Sequence, residues 1–163
     1  MTEYALRLEN ATDTAARVRK GDAVGLGMGV SDKLAARSGV RPGGGAVTVN
    51  AGTMQVQVAA FSGWLQGGAS VSQSGYLIVS DASKALTLAD GHATLDRVDT
   101  IAVVVKDNAF DSSGDTSCAV TIVQGTPGAG APSLPTNCLP LRDVNVPHGL
   151  SAGTGGLAPR QGC

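Results

Sequence analysis

From residue 46 onward the apolar residues recur at every second position, and that period forces extended chain with two distinct faces. Val47 and Val49 flank Thr48, while Met54, Val56 and Val58 alternate with Gln55 and Gln57. A helix would scatter these residues around its circumference; a strand lines them up on one side and leaves the glutamines in water. Phe61 to Leu65, Tyr76 to Val79 and the short Ala85 to Leu88 read as further strands. Ile101 to Lys106 is apolar on both faces, so it belongs at the centre of a sheet or between layers. Ala119 to Val123 mirrors it across Asp107 to Thr116, a stretch whose Asp, Ser and Gly suit a hairpin connection. Leu139, Leu141, Val144 and Val146 form a last strand. Its apolar phase changes from odd to even around Arg142–Asp143, where a bulge or twist is expected. Gly125 to Pro135, with three prolines and three glycines, is excluded from any central strand or helix and reads as an extended crossover.

The first 41 residues differ. Tyr4 to Leu8 alternates like a strand, Thr12 to Lys20 reads as a short helix closed by Gly21, and Ser31 can cap another through Lys33–Arg37 that ends at Gly39. The expected fold is mainly β: an antiparallel β-sandwich-like domain over 42–150, a short mixed α/β N-terminal arm over 1–41 that is a docking segment, and a Gly-rich flexible tail over 151–163.

Charge is sparse and unevenly placed. Only 15% of residues are charged, and none lies between Gly43 and Ser80 or between Thr116 and Leu141. A soluble monomer normally spreads charges over the outward faces of its strands. Long charge-free runs therefore point to surfaces covered by other subunits, or to a neutral face of Thr, Ser, Gln and Gly. The formal net charge of −1 supplies no basic excess for phosphates, and five aromatics offer little stacking, so nucleic acid is not an expected partner. No apolar run is long enough to span a bilayer, and the start Met1-Thr2-Glu3-Tyr4 has neither the basic residues nor the apolar stretch of a secretory leader. Cys118, Cys138 and Cys163 lack metal-ligand spacing and read as free thiols, with a Cys118–Cys138 bridge open only if their segments pair.

Several patterns invite chemistry, and each has a plainer explanation. Gly25-Leu-Gly-Met-Gly29 misses the spacing of a phosphate loop and lacks a following Lys-Ser/Thr, so it reads as a turn or irregular strand. Asp107, Asp111 and Asp115 sit four apart in one loop, without the alternate ligands and late Glu of a calcium loop. His92 and His148 lie in turn contexts, and no serine sits in a nucleophile elbow. Glu3 and Glu9 are the only glutamates, which leaves no glutamate pair for glycoside hydrolysis. Trp64 and Tyr76, with Phe61, are candidates for a sugar-stacking platform or for the core. No catalytic, cofactor-binding or metal-binding residue is assigned, and no enzyme activity is expected.

An ordered series of motifs runs through the chain: Val47-Thr-Val-Asn-Ala-Gly52, Gln73-Ser-Gly-Tyr76, Leu86-Thr-Leu-Ala-Asp-Gly-His-Ala-Thr-Leu95, Arg97-Val-Asp-Thr-Ile-Ala-Val-Val-Val105, Asp107-Asn-Ala-Phe110, Val123-Gln-Gly-Thr-Pro127, Pro135-Thr-Asn-Cys-Leu-Pro-Leu141 and Val144-Asn-Val-Pro147. Over roughly residues 40 to 155 this series resembles the N-terminal module of minor tail, baseplate and tail fibre proteins from actinobacterial phages, or of related phage-tail-like particles. The resemblance implies a structural virion protein, made in the host cytoplasm and placed in the tail. It would hold host-recognition parts at the tail tip, with other tail or baseplate proteins and copies of itself as partners, and no cofactor. Family members commonly continue past the last strand. Two other readings carry their own expectations. A carbohydrate-binding module contacting a host surface glycan needs Trp64 or Tyr76 exposed beside polar groups, and a wall-degrading enzyme needs convergent carboxylates or a His-centred cleft. A head decoration protein would look the same in sequence.

Overall fold

The computed structural model describes residues 37–157 apart from 51, 71 and 72, together with residues 14, 15, 18, 19 and 22. The strand expected over Tyr4–Leu8 and the loop Gly25–Gly29 lie outside the described residues. Ala15, Val18, Arg19 and Asp22 are helical, and Val18 N donates to the Thr14 carbonyl, so helical backbone occurs within 12–20 as expected and also at Asp22, past the Gly21 expected to close it.

The described residues form nine strands: β1 Gly39–Val40, β2 Val47–Asn50, β3 Gln55–Val58, β4 Phe61–Gln66, β5 Gly75–Ser80, β6 Lys84–Thr87, β7 Arg97–Asp107, β8 Thr116–Val123 and β9 Cys138–Val146. A one-turn helix α1, Asn108–Asp111, interrupts the β7–β8 connection, and a 3-10 turn covers Ala152–Thr154. The strands pair antiparallel in three sheets ordered β1-β4-β5, β2-β3-β6 and β8-β7-β9. The chain is therefore mainly β and sandwich-like.

The first two sheets are halves of one bent sheet. Val47 opposes Val58 and Val40 opposes Gly63, so seven steps back along the first strand match five along the second. The ladder between them continues through Ala59 N to Ala46 O, Gly45 N to Ala60 O and Arg41 N to Ser62 O. The two extra residues loop out at Gly43–Gly45, where Gly43 and Gly45 adopt φ of 86° and 69°. Side-chain-bearing residues rarely take that backbone conformation, which is why the corner is glycine. β5 and β6 are likewise consecutive lengths of a third strand, with one extra residue between Ser80 and Lys84.

This bent sheet packs on β8-β7-β9. Val47, Val56, Val58 and Phe61 meet Ile101, Val103, Val144 and Val146 in a single buried cluster. Fully burying each such side chain is worth about 1.5–3 kcal/mol. Two cations tie the layers at their margins: Lys84 Nζ donates to the Val120 carbonyl at 3.0 Å, and Arg142 Nη1 to the Val47 carbonyl at 2.6 Å. β7 is central, as its apolar residues on both faces predict, with Ile101 and Ala102 both wholly buried although they point to opposite sides.

Three expectations change in detail, and the reading of the cysteines as free thiols holds. The irregularity in β9 lies at Leu141, because Ile101 opposes Arg142 while Ala102 opposes Pro140. This places the phase change just ahead of Arg142–Asp143. Gly39 starts β1 opposite Trp64, so β pairing begins before residue 42, while the helix expected over Lys33–Arg37 lies, but for Arg37, outside the described residues. Residues 151–157 are not loose: Leu157 is buried and its N–H bonds the Thr53 carbonyl at 2.8 Å. Cys118 and Cys138 are free, because β8 and β9 flank β7 and do not pair with each other. Strands two apart are separated by about 9–10 Å, beyond the reach of a disulfide.

One buried ion pair fixes the connections at the start of β7. Arg97 and Asp99 are two apart, hence on the same face. Arg97 Nε and Nη2 donate to the two Asp99 carboxylate oxygens at 2.8 and 3.0 Å. The guanidinium also donates to the carbonyls of Asp90 and Ala89, at 3.0 and 2.8 Å. Asp99 Oδ1 in turn accepts from Gly125 N at 2.9 Å. The segment before β7 and the crossover after β8 are thus held to one pair of side chains that are almost completely buried.

Candidate functional site

The two residues singled out for ligand stacking are not brought together. Tyr76 on β5 opposes Leu65 on β4, the neighbour of Trp64, and successive strand residues point to opposite faces. Trp64 is buried over Gly75, where a Cβ would fall 2.5 Å from the indole ring. Phe61 belongs to the core. The open aromatic platform that a sugar needs is not assembled from this pair.

Tyr76 anchors a polar cluster instead. Its hydroxyl donates to Asp107 Oδ2 at 2.6 Å and accepts from Gln73 Nε2 at 2.7 Å. Gln73 is wholly buried, and its Oε1 accepts from Ala69 N at 2.9 Å. Arg19 lies over the Tyr76 ring with its guanidinium carbon 4.8 Å from the centroid, and over Phe110 at 5.7 Å. It also donates to the Gln73 carbonyl at 3.1 Å and approaches Asp107 Oδ2 at 4.0 Å. Asp107 is placed by its second task, capping α1 through the Ala109 N–H. The cluster clamps the helical turn around Arg19 to the β5 edge of the bent sheet.

Burial, followed by the hydrogen bond to Asp107, pushes the Tyr76 phenol up from 10.0 to about 12. The folded chain holds that proton more tightly than the unfolded chain does. The stabilisation is therefore complete below pH 10 and is lost as pH rises through about 12. An ultraviolet titration of tyrosinate should show a transition near pH 12 that Tyr76→Phe removes; unchanged titration in that variant would refute the assignment.

The other chemical candidates are engaged locally. Asp111 accepts from Ser113 N and Asp107 N, and the Ser113 side chain foremost, followed by the Asp107 N–H, holds its carboxyl below the usual range. Asp115 is lowered by Ser117 and then Lys106, which it meets at 2.9 and 3.4 Å. Among the described residues no three His, Cys, Asp or Glu side chains gather as a metal site. His148 Nδ1 lies 2.7 Å from Asp96 Oδ1, and His92 Nδ1 accepts from Thr94 N and Leu95 N at 3.2 Å. Each imidazole shapes its own turn. An open groove of about 470 Å³ between β1 and β9 is lined by backbone, aliphatic side chains and the Cys138 thiol, whose pKa burial raises.

The feature that strand-by-strand reading missed is the edge of β5 beyond Gly75, which among the described residues pairs with no further strand. Leu77 and Val79 are 68% and 66% exposed, side by side on the outer face. The charge-free run 43–80 was the signal for it, but periodicity alone did not place a strand at the sheet edge. Other margins carry a guard: Lys84 and Arg142 bind edge carbonyls of β8 and β2, and Pro140 interrupts β9. β5 carries no charge, proline or bulge along Gly75–Ser80, the devices by which proteins ordinarily keep exposed edges from pairing. Compared with known proteins, the chain matches no family model, no curated sequence and no solved structure.

Proposed function

We propose that this protein is a structural module of a phage-tail particle, a minor tail, baseplate or fibre component that assembles with other tail proteins and with copies of itself and carries host-recognition parts. The observation that carries the reading is the edge of β5 beyond the Arg19 clamp, with Leu77 and Val79 exposed within a charge-free stretch. Such an edge is a template for pairing with another chain. The ordered motif series gives the particle its identity, and Arg97 with Asp99, two of its positions, form the buried pair that holds the crossover. The module acts through geometry, not turnover: His92, His148 and the loop aspartates serve turns and caps. No described helix is long and apolar enough to cross a membrane.

The test is co-fractionation. In a density gradient of particles from producing cells, the protein should band with tails at a fixed ratio to the other tail proteins. Recovery only in the soluble fraction would overturn the proposal.

A further inference from the structure

The contact around Arg19 has the form of a receptor and its ligand. We infer that Gln73, Tyr76, Asp107 and Phe110 make a standing site for an arginine side chain, filled in this chain by its own Arg19 and open to an arginine presented by another protein. The inference does not depend on the assembly reading above.

The walls of the site are fixed without Arg19. The Tyr76 hydroxyl bridges Gln73 Nε2 and Asp107 Oδ2, at 2.7 and 2.6 Å, and so joins β5 to the end of β7. Gln73 is wholly buried, and its Oε1 takes the Ala69 N–H. Gly67 leaves room for it, since a Cβ there would fall 2.5 Å from the Gln73 carboxamide. Asp107 Oδ1 accepts from Ala109 N, and Asp107 N donates to Asp111 Oδ2. These two bonds tie the carboxylate to α1, the turn that carries Phe110. None of them uses the guanidinium.

The lining selects a guanidinium. Its carbon lies 4.8 Å from the Tyr76 centroid and 5.7 Å from that of Phe110, within the ~6 Å reach of a cation–π contact. Nη2 donates to the Gln73 carbonyl at 3.1 Å and stands 4.0 Å from Asp107 Oδ2. A flat cation covers the ring faces and still directs N–H groups sideways to both oxygens. An ammonium is a compact, strongly hydrated point charge without that plane.

Arg19 uses the site incompletely. It stays 4.0 Å from Asp107, where Arg97 meets Asp99 at 2.8 and 3.0 Å. Its Nε is buried and meets no acceptor among the described residues. The Arg19 and Asp107 side chains are 18% and 17% exposed, so water reaches this pair. A guanidinium free of the arm's geometry can approach the carboxylate more closely. Arg19 holds its place by proximity, since a tethered ligand competes at an effective concentration on the order of millimolar.

Emptying the site tests the inference. Arg19→Ala in the full chain leaves the walls without an occupant. A peptide of residues 12–22, carrying Arg19, is titrated into isotope-labelled protein and followed by NMR. In the variant it should give saturable shifts at the amides of Gln73, Tyr76, Asp107 and Phe110. The parent should bind it about tenfold more weakly, because its own Arg19 competes. The same peptide with citrulline, the neutral isostere, at the Arg19 position should bind the variant about fivefold more weakly, the loss of one cation–π contact. Equal binding to parent and variant, equal binding of the citrulline peptide, shifts elsewhere, or no binding by a well-dispersed variant would each overturn the inference. Arg19→Gln, which keeps much of the stem without the charge, is titrated in parallel. Loss of the fold in both variants would show that the walls depend on Arg19, and would overturn the inference too.

Discussion

Asp99→Ala is expected to lower the free energy of unfolding by about 3–5 kcal/mol, the usual cost of removing one partner from a buried ion pair. Asp99 is wholly buried and Arg97 is 3% exposed, so the guanidinium left behind cannot reach water without breaking the layer above it. Its remaining bonds to the carbonyls of Asp90 and Ala89 do not neutralise its charge. The Gly125 N–H loses its acceptor as well. Urea denaturation followed by tryptophan fluorescence gives the difference directly. The double change Arg97→Met with Asp99→Leu should recover much of the loss, because it removes the unpaired charge along with its partner. A loss below about 1 kcal/mol for Asp99→Ala would place this pair in the weak, solvent-screened class and contradict the burial described above.

Gly125→Ala should cost about 3 kcal/mol or more by a different route. A Cβ there would fall on the Val98 carbonyl oxygen, inside van der Waals contact, so backbone must move. Overpacking alone costs about 1–3 kcal/mol. The movement also pulls the Gly125 N–H away from the Asp99 carboxylate, and a hydrogen bond to a charged group adds about 1.5–3 kcal/mol. Gly130→Ala in the same crossover is the control: nothing lies within 4 Å of its Cβ position and its φ is not in the left-handed region. Its stability should stay within about 1 kcal/mol of the parent. Because Gly125 and Asp99 touch, Gly125→Ala combined with Asp99→Ala should destabilise by less than the sum of the two.

Much of the fold was legible because side-chain period reports directly on burial. Ile101–Val105 is apolar at every position, and only a central strand buries both of its faces. Gly125–Pro135 was excluded from strands by proline, and it does carry the chain across β7 from one sheet edge to the other. What stayed hidden is set by backbone. β1 is two residues, one of them glycine, and its existence rests on pairing with Gly63 and Trp64, residues more than twenty positions away. The corner at Gly43–Gly45 looks like a loop in sequence, yet it joins two lengths of one strand. The bulge at Leu141 was visible as a phase change, but only the partner strand shows which residue is extra.

The candidate site divides in the same way. Arg97 and Asp99 stand two apart within one motif, and residues two apart on a strand share a face, so their spacing allows the pair that the fold forms. Trp64 and Tyr76 suggested a platform because both are aromatic; the β4–β5 register sets them on opposite faces. The Arg19 clamp joins residues 54 apart in the chain, and no local pattern announces a contact of that range. The charge-free run from Gly43 includes Leu77 and Val79, and the sheet order places them on a strand at a sheet edge.

An electron-microscopy map of the assembled particle tests the central claim most directly. The account predicts density for this chain in the tail, with the β5 edge of each copy covered by protein and Leu77 buried. Density for the chain with β5 open to solvent in every copy, or no density for it anywhere in the particle, would contradict it.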